Sequence, residues 1–481
     1  MKHKYKISLK QNFIYQMLYE VLIIILPLIL SPYLSRILGA DALGTYTYYY
    51  VIANYFVLFS ILGLKNHGKR TIAQCRDHDD ELNREFSNLA TLHIAISLVC
   101  CLAYAGYICL FAKDRLMASI MAFQVLSGLF DISWLYFGLE QFKLTVLRTV
   151  ITKILTVIAI FCFVHTVDDL PLYGIIMSVG MLVNQLILWI PLKKYVHWVK
   201  PNPRQMLAHL KPMLLLFIPG IAVSLYKLMD KLMLGDMSSH AQLGFYDNAE
   251  KIVNLPMTII TSFGAVMIPR ISNLIAHKDN EKTKRYTEYS FYYIMWLAYA
   301  FAFGVASISN VFAPVFWGED FRSVNSLMMG LAITIPFFAF ANIIRTQYLI
   351  PQHRDKDFLV SVIAGAVVNL LLNLCLIPRY HAYGAVIATV AAETTVCFIQ
   401  AFCVRKDLPV LTYFKRSLVF IPFAVIMFIA VYVIGTIQQE SIRTLVLQIL
   451  SGIFIYIALS CAYFYYKKDA FFMKLIHKLK K

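Results

Sequence analysis

Residues 13–34 read FIYQMLYEVLIIILPLILSPYL. As a helix rising about 1.5 Å per residue, this run would be roughly 33 Å long, enough to cross a ~30 Å hydrocarbon core. Lipid offers backbone N–H and C=O groups no partner, so such a run must be a helix or a strand of a closed barrel. Barrel strands alternate apolar and polar residues over ~10 positions, and this run does not alternate. Lys2, Lys4, Lys6 and Lys10 precede it, and no small-residue cleavage site stands out after it. It therefore reads as a retained first span, not a cleaved signal peptide.

Outward from this run the pattern recurs. Further apolar stretches lie near 42–64, 86–111, 116–138, 145–165, 170–192, 212–234, 244–268, 289–313, 323–350, 359–378, 383–404, 416–436 and 444–466, about fourteen spans in all. The composition agrees: 59% of residues are hydrophobic and 15% charged, where a soluble domain carries about 25% charged. Breaks such as Pro27 and Pro219-Gly220 are tolerated in membrane helices when neighbours satisfy the freed backbone groups. Of the nine cysteines, Cys100 and Cys101 are adjacent, Cys109 and Cys162 sit in apolar runs, and none forms a C-x-x-C pair. They read as small apolar side chains, with neither metal ligation nor a disulfide framework supported.

A net charge of +17 would suggest nucleic acid in a soluble chain. Here the location of the charge decides otherwise. With the N-terminus in the cytoplasm, the inside segments are the N-terminal tail, 65–85, 139–148, 193–211, 270–288, 351–358, 405–416 and 467–481. They hold about 33 of the 44 Lys and Arg, and the outside connections hold about six. This asymmetry is the positive-inside rule, and it predicts both termini in the cytoplasm. The tail KKDAFFMKLIHKLKK is basic and amphipathic, and reads as a segment lying on anionic headgroups.

Two stretches resemble each other: LSRILGADALGTYTYYYVIANY at 34–55 and MDKLMLGDMSSHAQLGFYDNAEKIVN at 229–254. Each ends a span on Leu-Gly, turns through an acidic residue, and opens the next span on Gly-x-Tyr. Gly39 matches Gly235 and Gly44 matches Gly244. Six spans separate the copies, so both cross in the same direction. This predicts two six-helix halves related by an axis along the membrane normal, an arrangement in which substrate sits between two rocking halves. The alternative is chance likeness between two short hairpins.

Ionisable groups inside spans are rare and usually face a bundle interior or a wet cavity. Lys153 lies in the fifth span, Lys227, Asp230 and Lys231 in the seventh, and Arg345 near the end of the tenth. Asp247, Glu250 and Lys251 open the eighth, Glu20 is in the first, Asp131 in the fourth and Glu393 midway through the twelfth. Lys227, Asp230 and Lys231 share one helix face by their i, i+3, i+4 spacing, as do Asp247, Glu250 and Lys251. These two clusters read either as local salt bridges or as part of a polar path. Lys153, Arg345, Lys227, Glu20 and Glu393 are deeper, and suit a wet cavity or a buried structural pair. Arg148, at the end of the fifth span, serves equally as a topology charge. Deep cations suggest an anionic substrate. The buried carboxylates Glu20, Glu393 and Asp230 are candidates for carrying a proton or sensing sodium.

No catalytic pattern is present. There is no G-x-x-x-x-G-K-[ST], no G-x-S-x-G and no metal-spaced histidine pair; His93, His165 and His381 are isolated. The connections are too short for a cytosolic catalytic domain, so the chain reads as a transporter without cofactors, apart from coupling to H+ or Na+.

The order of motifs resembles the polysaccharide transport branch of the multidrug/oligosaccharidyl-lipid/polysaccharide exporter superfamily, which includes the Wzx-type flippases of lipid-linked oligosaccharide. RILGADALGTYTY at 36–48, NHGKRTIAQCRD at 66–77 and FDISWLYFGLEQFKLTVLR at 130–148 carry the resemblance. So do DKLMLG with LGFYDNAEKI at 230–252, IPRIS at 268–272, VFWGEDF at 315–321, and QYLIPQHRDKD through NLLLNLCLIPRYHAYGAVIAT at 347–389. The resemblance implies an all-α polytopic membrane protein, a V-shaped, MATE-like pair of pseudo-symmetric six-helix lobes plus two C-terminal helices. The expected divisions are 1–200, 201–404 and 405–481. It further implies movement of an undecaprenyl-diphosphate-linked oligosaccharide from the inner to the outer leaflet of a bacterial plasma membrane, alongside polymerase and glycosyltransferases of the same pathway. The cationic cavity it implies agrees with Lys153, Lys227 and Arg345, and extends to Arg148, Lys231 and Lys251. An ion-coupled drug or cation exporter of the same superfamily, with Glu20 as its acidic site, is the alternative. A membrane-embedded polymerase or glycosyltransferase would need a large outer loop, and a scaffold would need no deep charges.

Overall fold

The computed structural model describes residues 9–277, 279–469 and Met473, except for the side chains of 9–24, 219–220, 222–223, 225–227 and 280. Among the described residues the fold is entirely helical, with no strand. Twelve helical stretches are long and apolar enough to cross a membrane. The first of these, Ile25–Cys75, contains a break and so makes two passes. The 28-residue helix Leu210–Met237 supplies one more, which brings the passes to the expected fourteen.

The break is at Gly39. Helix α1 (Leu9–Ile61) runs on either side of it, but Gly39 has φ 74° and ψ 176°. That backbone region is open almost only to glycine, because a Cβ would clash with the neighbouring carbonyl. Sequence makes Gly235 the partner of Gly39, yet their conformations differ. Gly235 lies within α9 (Leu210–Met237), and the turn comes at Ser238-Ser239, where Ser239 caps α10 (His240–Ala276) by accepting from Gln242 N. What Gly235 supplies is closeness: a Cβ there would run into the ring of Tyr48.

By internal contacts the chain divides into two units, one ending at Gly235 and one starting at Asp236. The division falls in the last turn of α9. The segment before α9 is hydrogen-bonded to α3 (Asp79–Leu110), with His197 N donating to Asn83 Oδ1 at 2.7 Å and Asn202 N to Asn88 Oδ1 at 2.9 Å. The first unit also holds α2 (Leu64–Cys75), α4 (Arg115–Leu129), α5 (Ser133–Gly138), α6 (Phe142–Phe163), α7 (Leu170–Leu186) and α8 (Pro203–Ala208). Leu64, Ile72, Phe86, Trp134, Tyr136 and Leu188 form a buried core at one end of it.

The second unit holds α10, α11 (Asn280–Trp317), α12 (Val324–Ala332), α13 (Thr334–Ile344), α14 (Asp355–Tyr380), α15 (Ala382–Val404), α16 (Val410–Ser417), α17 (Phe420–Ile437) and α18 (Ile442–Tyr466). The last of these packs on α11. Trp296 Nε1 donates to Ser460 Oγ at 2.7 Å, Tyr456 OH to the Trp296 carbonyl at 2.7 Å, and Tyr293 OH to Asp469 Oδ1 at 2.7 Å, tying α18 and its end to α11. Between helices of a membrane bundle such bonds contribute about 0.6 kcal/mol on average and up to about 1.7. Small and polar residues line the tight α14–α15 contact: Ser361, Gly365, Asn369 and Asn373 recur every fourth position, and Gln400 Nε2 donates across to Ser361 Oγ at 3.0 Å.

Two glycine replacements separate conformation from mere space. Gly39→Ala should lower stability by about 1–3 kcal/mol because alanine does not accept that backbone geometry. Gly106→Ala, in α3 with nothing within 4 Å of the added methyl, should be neutral or slightly stabilising. Thermal unfolding of the purified protein in detergent checks both. Equal midpoints for Gly39→Ala and wild type would refute the strain at Gly39.

Candidate functional site

α6 carries two of the deep cations, five residues apart, and the structure gives them different surroundings. Arg148 is buried. Its Nη1 donates to the Asn184 carbonyl and to Gln185 Oε1, the latter at 2.9 Å. Both acceptors lie in the last turn of α7, where carbonyls run out of helical N–H partners and the dipole end favours a cation. Thr152 Oγ1 joins the same cluster through Asn184 Oδ1 at 3.0 Å. Arg148 thus braces the end of α7 against α6.

Lys153 is half-buried, and no carboxylate among the described side chains pairs with it. It stands eleven residues into a 22-residue helix, so it is near the middle of the span. A cation at that depth costs roughly 2.5–3.5 kcal/mol on insertion scales, unless something outside the helix answers it. Beside it, Thr149 and Thr156 turn their hydroxyls back to helix carbonyls at 2.9 and 2.8 Å, which quiets their own polarity within α6. The stripe R-T-V-I-T-K-I-L-T at 148–156 was the available signal for this polar face, and reading its charges alone misses Thr152 and Asn184.

In the second unit, Arg345 opens a π-helical turn, Arg345–Leu349, of a kind that often marks functional positions. Its Nη2 donates to Asn342 Oδ1, and its guanidinium stands over the Phe358 ring with 5.7 Å to the centroid. Asn342 is itself anchored, its Nδ2 donating to the Ile260 carbonyl at 3.3 Å. The cation is therefore held in place by α10 and α13 together. Neither Asn342 nor the π turn is visible in spacing.

Apart from Glu20, the remaining expected residues fall on α9, α10 and α15. Lys251 pairs with Asp247 at 2.7 Å along α10, the local i, i+4 ion pair that its spacing allows. Asp230 is buried and Lys231 half-buried, and both belong to the first unit, whereas Asp247, Glu250 and Lys251 belong to the second. Glu393 is buried on the inner stripe of α15, one turn before Cys397. Glu20 and Lys227 lie outside the described side chains. No group of three metal-ligating side chains occurs among the described residues.

A cavity of about 910 Å³ opens within the second unit, between α11, α13, α15, α16 and α17. Its lining is almost wholly apolar, including Phe303, Phe337, Phe398, Leu411 and Phe428. The one strongly charged residue on it is Arg405, whose guanidinium lies 3.4 Å from the centroid of the Phe402 ring. It is an open, apolar hollow, and the stacked arginine gives it one fixed positive charge.

Sequence and fold comparisons agree with this architecture. The family model described as polysaccharide biosynthesis protein matches residues 9–275, and the MatE model matches 216–375. The chain is 23% identical over 417 residues to an Escherichia coli (strain K12) protein named "Putative O-antigen transporter", covering 84% of this chain and 98% of that one. Its fold is similar to that of the lipid II flippase MurJ in an inward closed conformation, with a TM-score of 0.79 at 15% identity, over 94% of this chain and 98% of that one. A multidrug resistance MATE family transporter in an inward-facing conformation is a more distant likeness, with a TM-score of 0.61 at 14% identity, over 81% of this chain and 96% of that one.

The two α6 cations should separate in stability. Arg148→Met leaves α7 carbonyl and amide groups unanswered and should lower stability by about 1.5–3 kcal/mol. Lys153→Met removes a charge that nothing described neutralises, and should leave the thermal midpoint unchanged or higher. A comparable fall for both would show that Lys153 is a structural group.

Proposed function

The chain belongs to the polysaccharide biosynthesis protein family, and on that footing we propose that it is a flippase for a saccharide carried on a lipid diphosphate. The observation that carries the reading is Lys153, a cation held at mid-span with no described carboxylate partner. A group so expensive to insert is retained where something passing by answers its charge. A diphosphate does so with two or more negative charges in one headgroup. Arg345, oriented by Asn342, offers a second such point in the other unit.

The apolar cavity supports the lipid half of the cargo. A polyprenyl chain of undecaprenyl type is too apolar to leave hydrocarbon, so a carrier must move the polar head while the tail stays in lipid or in an apolar channel. The distribution of Lys and Arg supports both termini in the cytoplasm of a bacterial plasma membrane, with transport from the inner to the outer leaflet by alternating access. The relatives reported above are named as transporters or flippases, none as an enzyme, and the reading needs no cofactor. Coupling to H+ or Na+ would fall to buried carboxylates such as Asp230, Glu393 and Glu20. Glycosyltransferases that build the unit, and a polymerase that consumes it, are the expected partners.

The test is translocation of a lipid-diphosphate-linked oligosaccharide in proteoliposomes. Replacing Lys153 and Lys227 together with Ala should lower the rate at least tenfold while the protein inserts and elutes normally. Full activity in that double variant would remove the cationic path from the mechanism.

A further inference from the structure

Three titratable side chains lie in one file in the first unit, apart from the cations discussed so far. His67 Nε2, from α2, lies 3.0 Å from His209 Nδ1, just ahead of α9. His209 Nε2 lies 3.2 Å from Glu85 Oε2, from α3. The His209 and Glu85 side chains are 15% and 18% exposed, so the file is largely shielded yet not sealed from protons. The charged groups acting on it are Arg70, three residues along α2 from His67, and Arg84, beside Glu85 on α3. Glu81, Arg204 and Lys211, on the same elements, are exposed.

The hydrogen count in this file is constrained. Two ring nitrogens at 3.0 Å hold one hydrogen between them, not two. With Glu85 ionised, His209 Nε2 carries a hydrogen and donates it to the carboxylate. Two closed arrangements remain. Either neutral His209 accepts from His67 Nε2–H, or imidazolium His209 donates to a bare His67 Nε2, with the His67 hydrogen on Nδ1. A second extra proton sets N–H against N–H and cation against cation, and the rings must part.

What parting would free is also defined. The chain from His197 to His209 is tied to α3 by His197 N to Asn83 Oδ1, by Val199 N to Ser87 Oγ at 3.0 Å, by Asn202 N to Asn88 Oδ1, and by Asn88 Nδ2 to Gln205 Oε1 at 3.3 Å. His209 closes this run of ties and leads straight into α9.

We propose that His67, His209 and Glu85 form a proton-binding site, in which uptake of a second proton by the imidazole pair unlatches residues 197–209 from α2 and α3. The direction follows from the surroundings. Burial of His67, with His209 and Arg70 beside it, holds its imidazole below the ordinary histidine value, so the second proton is taken up only in acid. The latch is closed at neutral pH and above, and is lost in acid.

Hydrogen exchange measured by mass spectrometry on the full-length protein in nanodiscs tests this, because the N–H groups of His197, Val199 and Asn202 are themselves the ties. After correction for intrinsic rates, their exchange should be about tenfold faster at pH 5.5 than at pH 8, while α18 peptides stay unchanged. In His67→Gln, where the amide can donate to His209 but cannot be charged, the difference should shrink to less than about twofold. His209→Gln should flatten it likewise, and serves if the first variant misfolds. Equal exchange at both pH values in the wild type, or an undiminished difference in a folded variant, overturns the proposal.

Discussion

Hydrocarbon cannot hydrogen-bond, and that absence governs this molecule more than any attraction within it. Each polar group carried into a span must find its partner in the chain. Hydroxyls do so cheaply by turning back on their own helix, as Thr149 and Thr156 do on α6. Amides reach across to the next helix: Gln400 to Ser361, and Gln448 Nε2 to the Val431 carbonyl at 2.9 Å. The same polar residues that would weaken a span in isolation thereby set which helix faces which.

Charges are the exacting case, because no single hydrogen bond offsets their desolvation. Arg148 spends its guanidinium on the end of α7, and Lys251 is spent on Asp247. Arg345 is oriented but keeps part of its surface. Lys153 is the charge whose cost the described side chains leave standing. Beside these cations the second unit keeps a cavity that is apolar almost throughout. Polar and greasy requirements are met on different elements, which is what an amphiphilic cargo asks of its carrier.

Much of this was legible in the sequence, and what was not has a physical reason. The passes could be read because length and hydropathy act locally, and even the pass broken by Gly39 separated correctly. The likeness of Gly39 and Gly235 was real as sequence but not as backbone: one bends the chain, the other lets Tyr48 approach. The side-chain ties by which Asn83, Ser87 and Asn88 hold residues 197–202 are likewise beyond any spacing rule. Arg148 and Lys153 carry equal weight on a hydropathy scale. Only tertiary neighbours separate them. His67 and His209 lie 142 residues apart, and no spacing rule joins them.

The membership of α9 in the first unit also bears on how the protein is made. At about 5–20 residues per second, the roughly 120 residues that separate Glu85 from His209 take about 6–25 s to synthesise. Throughout that interval α3 waits in the membrane with Asn83, Ser87 and Asn88 lacking the strand of chain that will cover them. Release of a nascent chain before α9 would therefore leave a half-built bundle with polar side chains on its flank, the kind of species that membrane quality-control proteases remove. Biogenesis of this carrier is thus paced by the arrival of α9, and slowing translation just upstream of residue 209 would lengthen its most vulnerable moment.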